Sequence, residues 1–331
     1  MPRPGLPHPD PPTIDDVERA AANLAGRVHR TPLLSSATLE QQVGAPVLLK
    51  AELLQRTGSF KPRGVFTRLD ALSAEERRRG VISISAGNHA QALAYACARE
   101  GIDCLVIMWR GASPFKIVAA QGYGATVDTE ATDMAEGFER LAEIQAASGR
   151  VLVHPYDDPL VLAGQGTVGL EILEDAPGVE VVVVPVGGGG LVSGIAVAVR
   201  GRQQGVRVVA VEPERSAALG AGLAAGVPVR IVSGRTAADG LAAPVAGELA
   251  CRLCAALGVE HVTVSEDEIR AGFRFLYQRA KLAAEPAGAA GVAALLAGKI
   301  DVAGAGGVAV VVSGGNVAPE TASGILSPDE D

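Results

Sequence analysis

Lys61 stands in the run Thr57-Gly58-Ser59-Phe60-Lys61-Pro62-Arg63-Gly64, and its amine becomes chemically interesting if it can lose its proton. A deprotonated lysine condenses with an aldehyde to a Schiff base, and partial burial beside other cations lowers its pKa for that purpose. Phe60 can lie against a flat ring, Gly58 and Ser59 keep the backbone close, and Arg63 adds positive charge near the amine. Alone, a lysine between small residues reads more often as a solvated loop lysine. Three further loops change the balance.

Ser85-Ala86-Gly87-Asn88-His89 follows the apolar run Val81 to Ile84 and opens a helical stretch from Ala90 to Glu100. A strand-to-helix loop aims unpaired N–H groups at one point, where the helix dipole favours an anion such as a substrate carboxylate. Asn88 offers an amide for a ring hydroxyl, although Asn88 and Ser85 could equally cap the helix. Gly187-Gly188-Gly189-Gly190-Leu191 leaves another apolar run and leads into a helix. Bare glycines let backbone N–H groups reach phosphate oxygens. This is not a dinucleotide fingerprint, which needs glycine at position 192 or 193, although Glu212 does stand at the end of the next strand as such a site requires. A P-loop is excluded, since no Gly-Lys-Ser/Thr follows. In Ser313-Gly314-Gly315-Asn316 the Ser313 hydroxyl could partner a ring nitrogen, or the segment could be a plain turn. A Schiff-base lysine, a carboxylate nest, a phosphate cradle and a ring-nitrogen partner together match pyridoxal 5'-phosphate.

Elements must hold these loops in place. The chain has 331 residues, 48% of them hydrophobic, enough for two lobes. Apolar runs at 47–49, 81–84, 104–108, 151–153, 181–186, 206–211 and 308–312 alternate with helical stretches, the pattern of parallel strands covered on both faces. The expected class is α/β, with two open, twisted, mostly parallel sheets. Val181 to Val184 is apolar on both sides of the pleat and reads as a central strand. A small domain over 73–154 is read as inserted into a large one made of 1–72 and 155–331. Thr13 caps a first helix that Gly26 ends, and Ser327 to Asp331 reads as a frayed tail.

The net charge of -8, with no basic block longer than Arg77-Arg78-Arg79, argues against nucleic acid. No apolar stretch reaches membrane length, and the proline-rich start from Met1 to Pro12 lacks a signal core, so a cytoplasmic protein is expected. Cys251 and Cys254 form a C-x-x-C without a second pair, which reads as packing on one helix face rather than a zinc site.

The residues resemble the serine/threonine dehydratase family of fold type II pyridoxal-phosphate enzymes, whose fold is like that of the tryptophan synthase beta chain. The motifs are TGSFKPRG at 57–64, SAGNHAQ at 85–91, AGQGT at 163–167, PVGGGGL at 185–191, ADGLA at 238–242, EPAGA at 285–289 and SGGN at 313–316. The resemblance implies that Lys61 is the Schiff-base lysine and the base for the α-proton. It implies that Phe60 backs the ring, Asn88 meets its hydroxyl, and Gly187 to Gly190 with Leu191 hold the phosphate. Glu285 lies by the cofactor, Ser313 meets the pyridine nitrogen, and Ser85, Ala86, Gly87, Asn88 and His89 grip the substrate.

The implied reaction is deamination of L-threonine, and less readily L-serine, to a 2-oxo acid and ammonia, in a homodimer. Similar racemases carry serine where this chain has Ala86; a methyl group cannot move a proton, which favours elimination over racemisation. Alternatives are serine racemase, a dehydratase for threo-3-hydroxyaspartate or phenylserine, a step of hydroxyectoine breakdown, or a non-catalytic binding protein on the same scaffold. Some relatives bind a divalent cation through residues matching Glu212 and Ala218; alanine cannot ligate, so no metal is expected and Glu212 is a weak candidate. Trp109 and Tyr156 stand where relatives carry proline and asparagine, and could reshape the pocket. No regulatory region like that of biosynthetic threonine dehydratases follows the last strand, so feedback through one is not expected.

Overall fold

The computed structural model describes residues 10–327; the start through Pro9 and the tail from Pro328 lie outside them. The apolar runs become parallel strands because both faces of each must be shielded from water. The large sheet contains β1 (Leu33–Ser35), β2 (Val47–Lys50), β7 (Val181–Pro185), β8 (Arg207–Pro213), β9 (Glu260–Val264) and β10 (Val308–Val311), in the order β1-β2-β10-β7-β8-β9. The small sheet contains β3 (Val81–Ile84), β4 (Cys104–Trp109), β5 (Thr126–Ala131) and β6 (Val151–Leu152), in the order β5-β4-β3-β6. All pairings are parallel except β1 on β2.

The α/β class with two mostly parallel sheets is thus borne out, and β7 is an interior strand between β10 and β8. Its valines are fully buried, alternating between an apolar cluster that includes the helix Pro286–Leu296 and another that includes the helix Gly190–Arg202. Each such side chain contributes about 1.5–3 kcal/mol of transfer free energy. Sequence reading did not single out β1, β5 and β9 as strands. All three are sheet edges, where exposure removes the apolar pattern: β5 reads Thr-Val-Asp-Thr-Glu-Ala and β9 reads Glu-His-Val-Thr-Val.

The first helix is Ile14–Leu24, closed by a Thr13–Asp16 capping box, and Gly26 follows in the left-handed region. The small sheet is covered on one face by Asn88–Glu100 together with Leu24, Val65, Phe66, Leu69 and Leu72 from upstream, and on the other by the helix Met134–Ser148. Cys251 and Cys254 are buried on one face of Glu248–Ala256, packed with the large-sheet core.

Beneath the lysine helix Pro62–Asp70 lies a buried charge cluster. Arg63 donates to both oxygens of Glu52 at 2.8 and 2.9 Å and to both of Glu171 at 2.7 and 2.9 Å, and Lys50 Nζ adds a bond to Glu171 at 2.6 Å. Burial alone would raise the Glu52 carboxyl, but the Arg63 charge and hydrogen bonds carry it below the ordinary value.

Candidate active site

Two loops from opposite ends of the chain are joined by main-chain hydrogen bonds. Leu53 N donates to Val312 O at 3.1 Å, Phe60 N to Ser313 O at 3.2 Å and Gly315 N to Gly58 O at 2.9 Å, while Ser59 and Gly314 form an antiparallel bridge. Lys61 then takes the N-cap position of Pro62–Asp70, with Pro62 at the first helical position, where its missing N–H costs nothing. The amine therefore stands on a backbone held from two sides.

Lys61 Nζ donates to Pro155 O at 2.7 Å and lies 5.1 Å from the centre of the Phe60 ring. Burial pushes this amine down to about 8, with the Glu285 carboxylate pulling the other way. A free base is thus accessible near neutrality, which a carbonyl-condensing lysine requires. The carbonyl of Pro155 is brought here by a turn in which His154 Nδ1 accepts from Tyr156 N at 3.3 Å and from Asp157 N at 2.8 Å. Burial holds His154 down to about 4, so Nδ1 keeps the lone pair this turn needs.

Asn88 opens the helix Asn88–Glu100, and its amide is not a cap: the N-cap is Gly87, without a side-chain bond. Asn88 Nδ2 donates instead to Glu285 Oε1 at 2.6 Å, and Oδ1 accepts from Asn316 Nδ2 at 2.8 Å. Ser85 stays local, its hydroxyl accepting from Gly87 N at 3.3 Å. The capping reading thus fails for Asn88, and the first N–H groups of this helix are left without intrahelical acceptors. Burial raises the Glu285 carboxyl to about 7, against the Asn88 hydrogen bond. His89 is buried, with Nε2 3.0 Å from Val153 O and Nδ1 unpartnered among the described residues. Burial, then the nearby Lys61 charge, pushes it down to about 3, so it stays neutral and has no proton to lend.

The tetraglycine loop leaves β7 and enters Gly190–Arg202. Gly189, its N-cap, has φ 89°, a left-handed conformation that glycine adopts at no steric cost, and it provides no side-chain cap. A Cβ on Gly188 would enter the ring of Tyr156, and one on Gly190 would come within 2.8 Å of Tyr156 O. Tyr156 thus packs against the glycine loop, its hydroxyl donating to Val245 O at 3.2 Å. Trp109 joins the apolar cluster beside Met134–Ser148, on the outer face of the small sheet. Ser313 is buried, and its hydroxyl has no partner among the described residues. The Ser59 hydroxyl nearby is also buried without one.

Lys61, Phe60, Asn88, Glu285, Ser313 and the 154–157 turn that meets Gly188 and Gly190 therefore form one contiguous site. Glu212 lies apart from it. Its oxygens accept from Leu219 N and Gly220 N, both at 2.9 Å, and pair with His261 Nε2 at 2.7 Å. Those donors use the carboxylate as a helix cap, and no group of three or more His, Cys, Asp or Glu suited to a metal occurs among the described residues. Sequence reading missed the Pro155 carbonyl and the role of Asn316, which was visible only as a letter of SGGN. It also missed an ion pair between Lys116 and Asp239 that joins the helix Pro114–Gly122 to the turn beside Glu285.

The arrangement fits a phosphorylated aromatic aldehyde. It holds an amine of lowered pKa, an uncapped helix start whose glycines leave no room for Cβ atoms, an amide N–H, and a buried hydroxyl without a partner.

Residues 24–314 match the family model described as pyridoxal-phosphate dependent enzyme. An L-threonine ammonia-lyase of Thermotoga maritima is 46% identical over 305 residues, covering 92% of this chain and 76% of that protein. A catabolic L-threonine dehydratase of Escherichia coli is 41% identical, covering 93% of this chain and 94% of that protein. Among solved structures, maize serine racemase superposes with a TM-score of 0.91 at 33% identity, covering 94% of this chain and 96% of that one.

Proposed function

This chain belongs to the pyridoxal-phosphate dependent enzymes, and we propose that it is an ammonia-lyase converting L-threonine to 2-oxobutanoate and ammonia, with L-serine a poorer substrate. The observation that carries this reading is the contrast between Lys61 and the loop 85–89: Lys61 Nζ is set for transfer near neutrality, while that loop brings a methyl group, a hydroxyl turned to its own backbone and a neutral buried imidazole. Racemisation needs a second acid/base on the opposite side of the α-carbon; elimination needs one.

Lys61 would hold the cofactor aldehyde through Nζ. Gly187 to Gly190 and Leu191 would take its phosphate on backbone N–H groups, Phe60 would lie by its ring, Asn88 would meet the ring hydroxyl and Ser313 the ring nitrogen. Once bound, pyridoxal 5'-phosphate supplies an electron sink for carbanion chemistry at the α-carbon of an amino acid. The substrate carboxylate would sit at the N–H groups of Ser85 to His89, where the helix start favours an anion. That contact fixes which α-substituent faces Lys61. Once the substrate amine has displaced it from the aldehyde, the freed Lys61 Nζ would take the α-proton and return a proton to the departing β-hydroxyl, which leaves as water. Hydrolysis of the resulting enamine restores the water and yields the 2-oxo acid and ammonia, so the atoms balance.

Residues 73–154 form, in this reading, a small domain inserted into a large one made of 1–72 and 155–331, and the separate four-stranded sheet β5-β4-β3-β6 supports it. A cytoplasmic homodimer is the expected state, in line with the general bias to two-fold assemblies; among the described residues no helix is long and apolar enough to cross a membrane. Sedimentation of the purified protein tests the dimer. The activity is tested by 2-oxo acid release from a panel containing L-threonine, L-serine, phenylserine and threo-3-hydroxyaspartate, with serine enantiomers followed in parallel. Threonine should give the highest kcat/KM; no 2-oxobutanoate from threonine, or D-serine as the main product from L-serine, would overturn the assignment.

A further inference from the structure

The Asn88 amide can face a ligand with its N–H or with its carbonyl, and these are opposite chemistries. Amide orientations follow from the surrounding hydrogen bonds, so the question is whether one neighbour admits a single answer. Thr57 O is such a neighbour: a backbone carbonyl can only accept. Asn316 Nδ2 lies 2.7 Å from Thr57 O and 2.8 Å from Asn88 Oδ1, so both of its hydrogens are committed. Asn88 must then turn its oxygen to Asn316 and its nitrogen to Glu285 Oε1, 2.6 Å away. The reverse setting would place the Asn316 oxygen against the Thr57 oxygen, two acceptors with no proton between them.

We propose that Asn316 is a positioning residue: anchored on Thr57 O, it fixes the Asn88 amide so that an N–H, and not a carbonyl, is offered to the cofactor ring hydroxyl. This rests on the pyridoxal-phosphate reading of the site. A donated N–H favours the ionised oxygen over the neutral hydroxyl, so Asn316, without touching the ring, sets the protonation state of the group that does. Thr57 supports this by its own conformation. It is a non-glycine residue with φ 60°, a left-handed setting that side chains rarely adopt. The strained turn also carries the Gly58 carbonyl that accepts from Gly315 N, tying the turn to the Asn316 loop.

The test uses the full-length protein stripped of cofactor and titrated with pyridoxal 5'-phosphate, comparing wild type, Asn316→Asp and Asn316→Ala. The readouts are the dissociation constant and the ratio of the absorption bands of the neutral-hydroxyl and ionised-oxygen forms. Aspartate can only accept, so it opposes Thr57 O and releases Asn88. Affinity should fall by about tenfold or more, as when a buried bond is replaced by an unsatisfied pair, and the ratio should move toward the neutral hydroxyl. Alanine should move both in the same direction by less, and it decides the matter alone if the aspartate variant does not fold. Unchanged affinity and ratio in the variants would overturn the proposal. So would a loss of affinity with the ratio unmoved, since that is what a purely structural Asn316 would give. A wild type that takes up no pyridoxal phosphate would instead bring down the cofactor reading, and this inference with it.

Discussion

In the proposed reaction Lys61 is both covalent anchor and base, and its surroundings suit one amine to the two tasks. Burial lowers its pKa to about 8 while the Pro155 carbonyl gives the free amine a resting acceptor. Lys61→Ala should lower kcat by about 10^4-fold or more while leaving the unfolding midpoint near that of wild type, because it deletes a proton carrier and not a packing residue. Near-normal turnover in that variant would refute its role. The sign of the pH effect follows from burial. The folded amine loses its proton earlier than free lysine, so in cofactor-free protein the rate of Lys61 acylation should rise with pH and level off above about 8. Quantitative mass spectrometry of acylation against pH measures this, and a midpoint near 10.5, the ordinary lysine value, would show that burial does not act on the amine. Lys61 was readable from its neighbours in the chain; the carbonyl 94 residues away was not.

At the scale of elements, the proposed phosphate cradle is a strand end, four glycines and a helix start, and each part is legible as sequence. What was not legible is why glycine is required at position 188: the Tyr156 ring occupies the space a Cβ would take. Gly188→Ala should therefore weaken cofactor binding by roughly tenfold or more, because the loop must shift to relieve a clash costing on the order of 1–3 kcal/mol. Adding Tyr156→Gly should recover part of that loss, and equilibrium titration of the single and double variants checks it; an additive result would show that ring and loop do not meet. The strand pattern divides by position in the sheet. Val81 to Ile84 and Val181 to Val184 declared themselves because both faces are covered, whereas Thr126–Ala131 and Glu260–Val264 lie on edges and wear the polar residues of a surface.

At the scale of the molecule, the site stands where the exits of two separate sheets meet, so its geometry depends on what fixes the lysine helix to the large-sheet core. The buried cluster of Lys50, Glu52, Arg63 and Glu171 does this, joining β2, the helix Pro62–Asp70 and the helix Pro159–Asp175. Arg63→Ala leaves Glu52 buried without its main partner and should destabilise the fold by about 3–5 kcal/mol, the usual cost of breaking a buried pair from one side. Urea unfolding would register it as a lower midpoint at unchanged slope, and a loss below about 1 kcal/mol would mean that the remaining Lys50 suffices.

By itself the sequence determined the α/β class, the interior strands, the lysine, the glycine loop and the cofactor they suit, because each is encoded within a few neighbouring residues by apolar runs, bare backbone or a reactive amine. Tertiary structure alone decided the partners: Glu285 and Asn316 on the Asn88 amide, Pro155 O on the lysine, Tyr156 on the glycines, and Glu212 closed off as a helix cap. Each of those is a contact between segments far apart in the chain, and a hydrogen bond of that kind leaves no periodicity in the sequence from which it could be read.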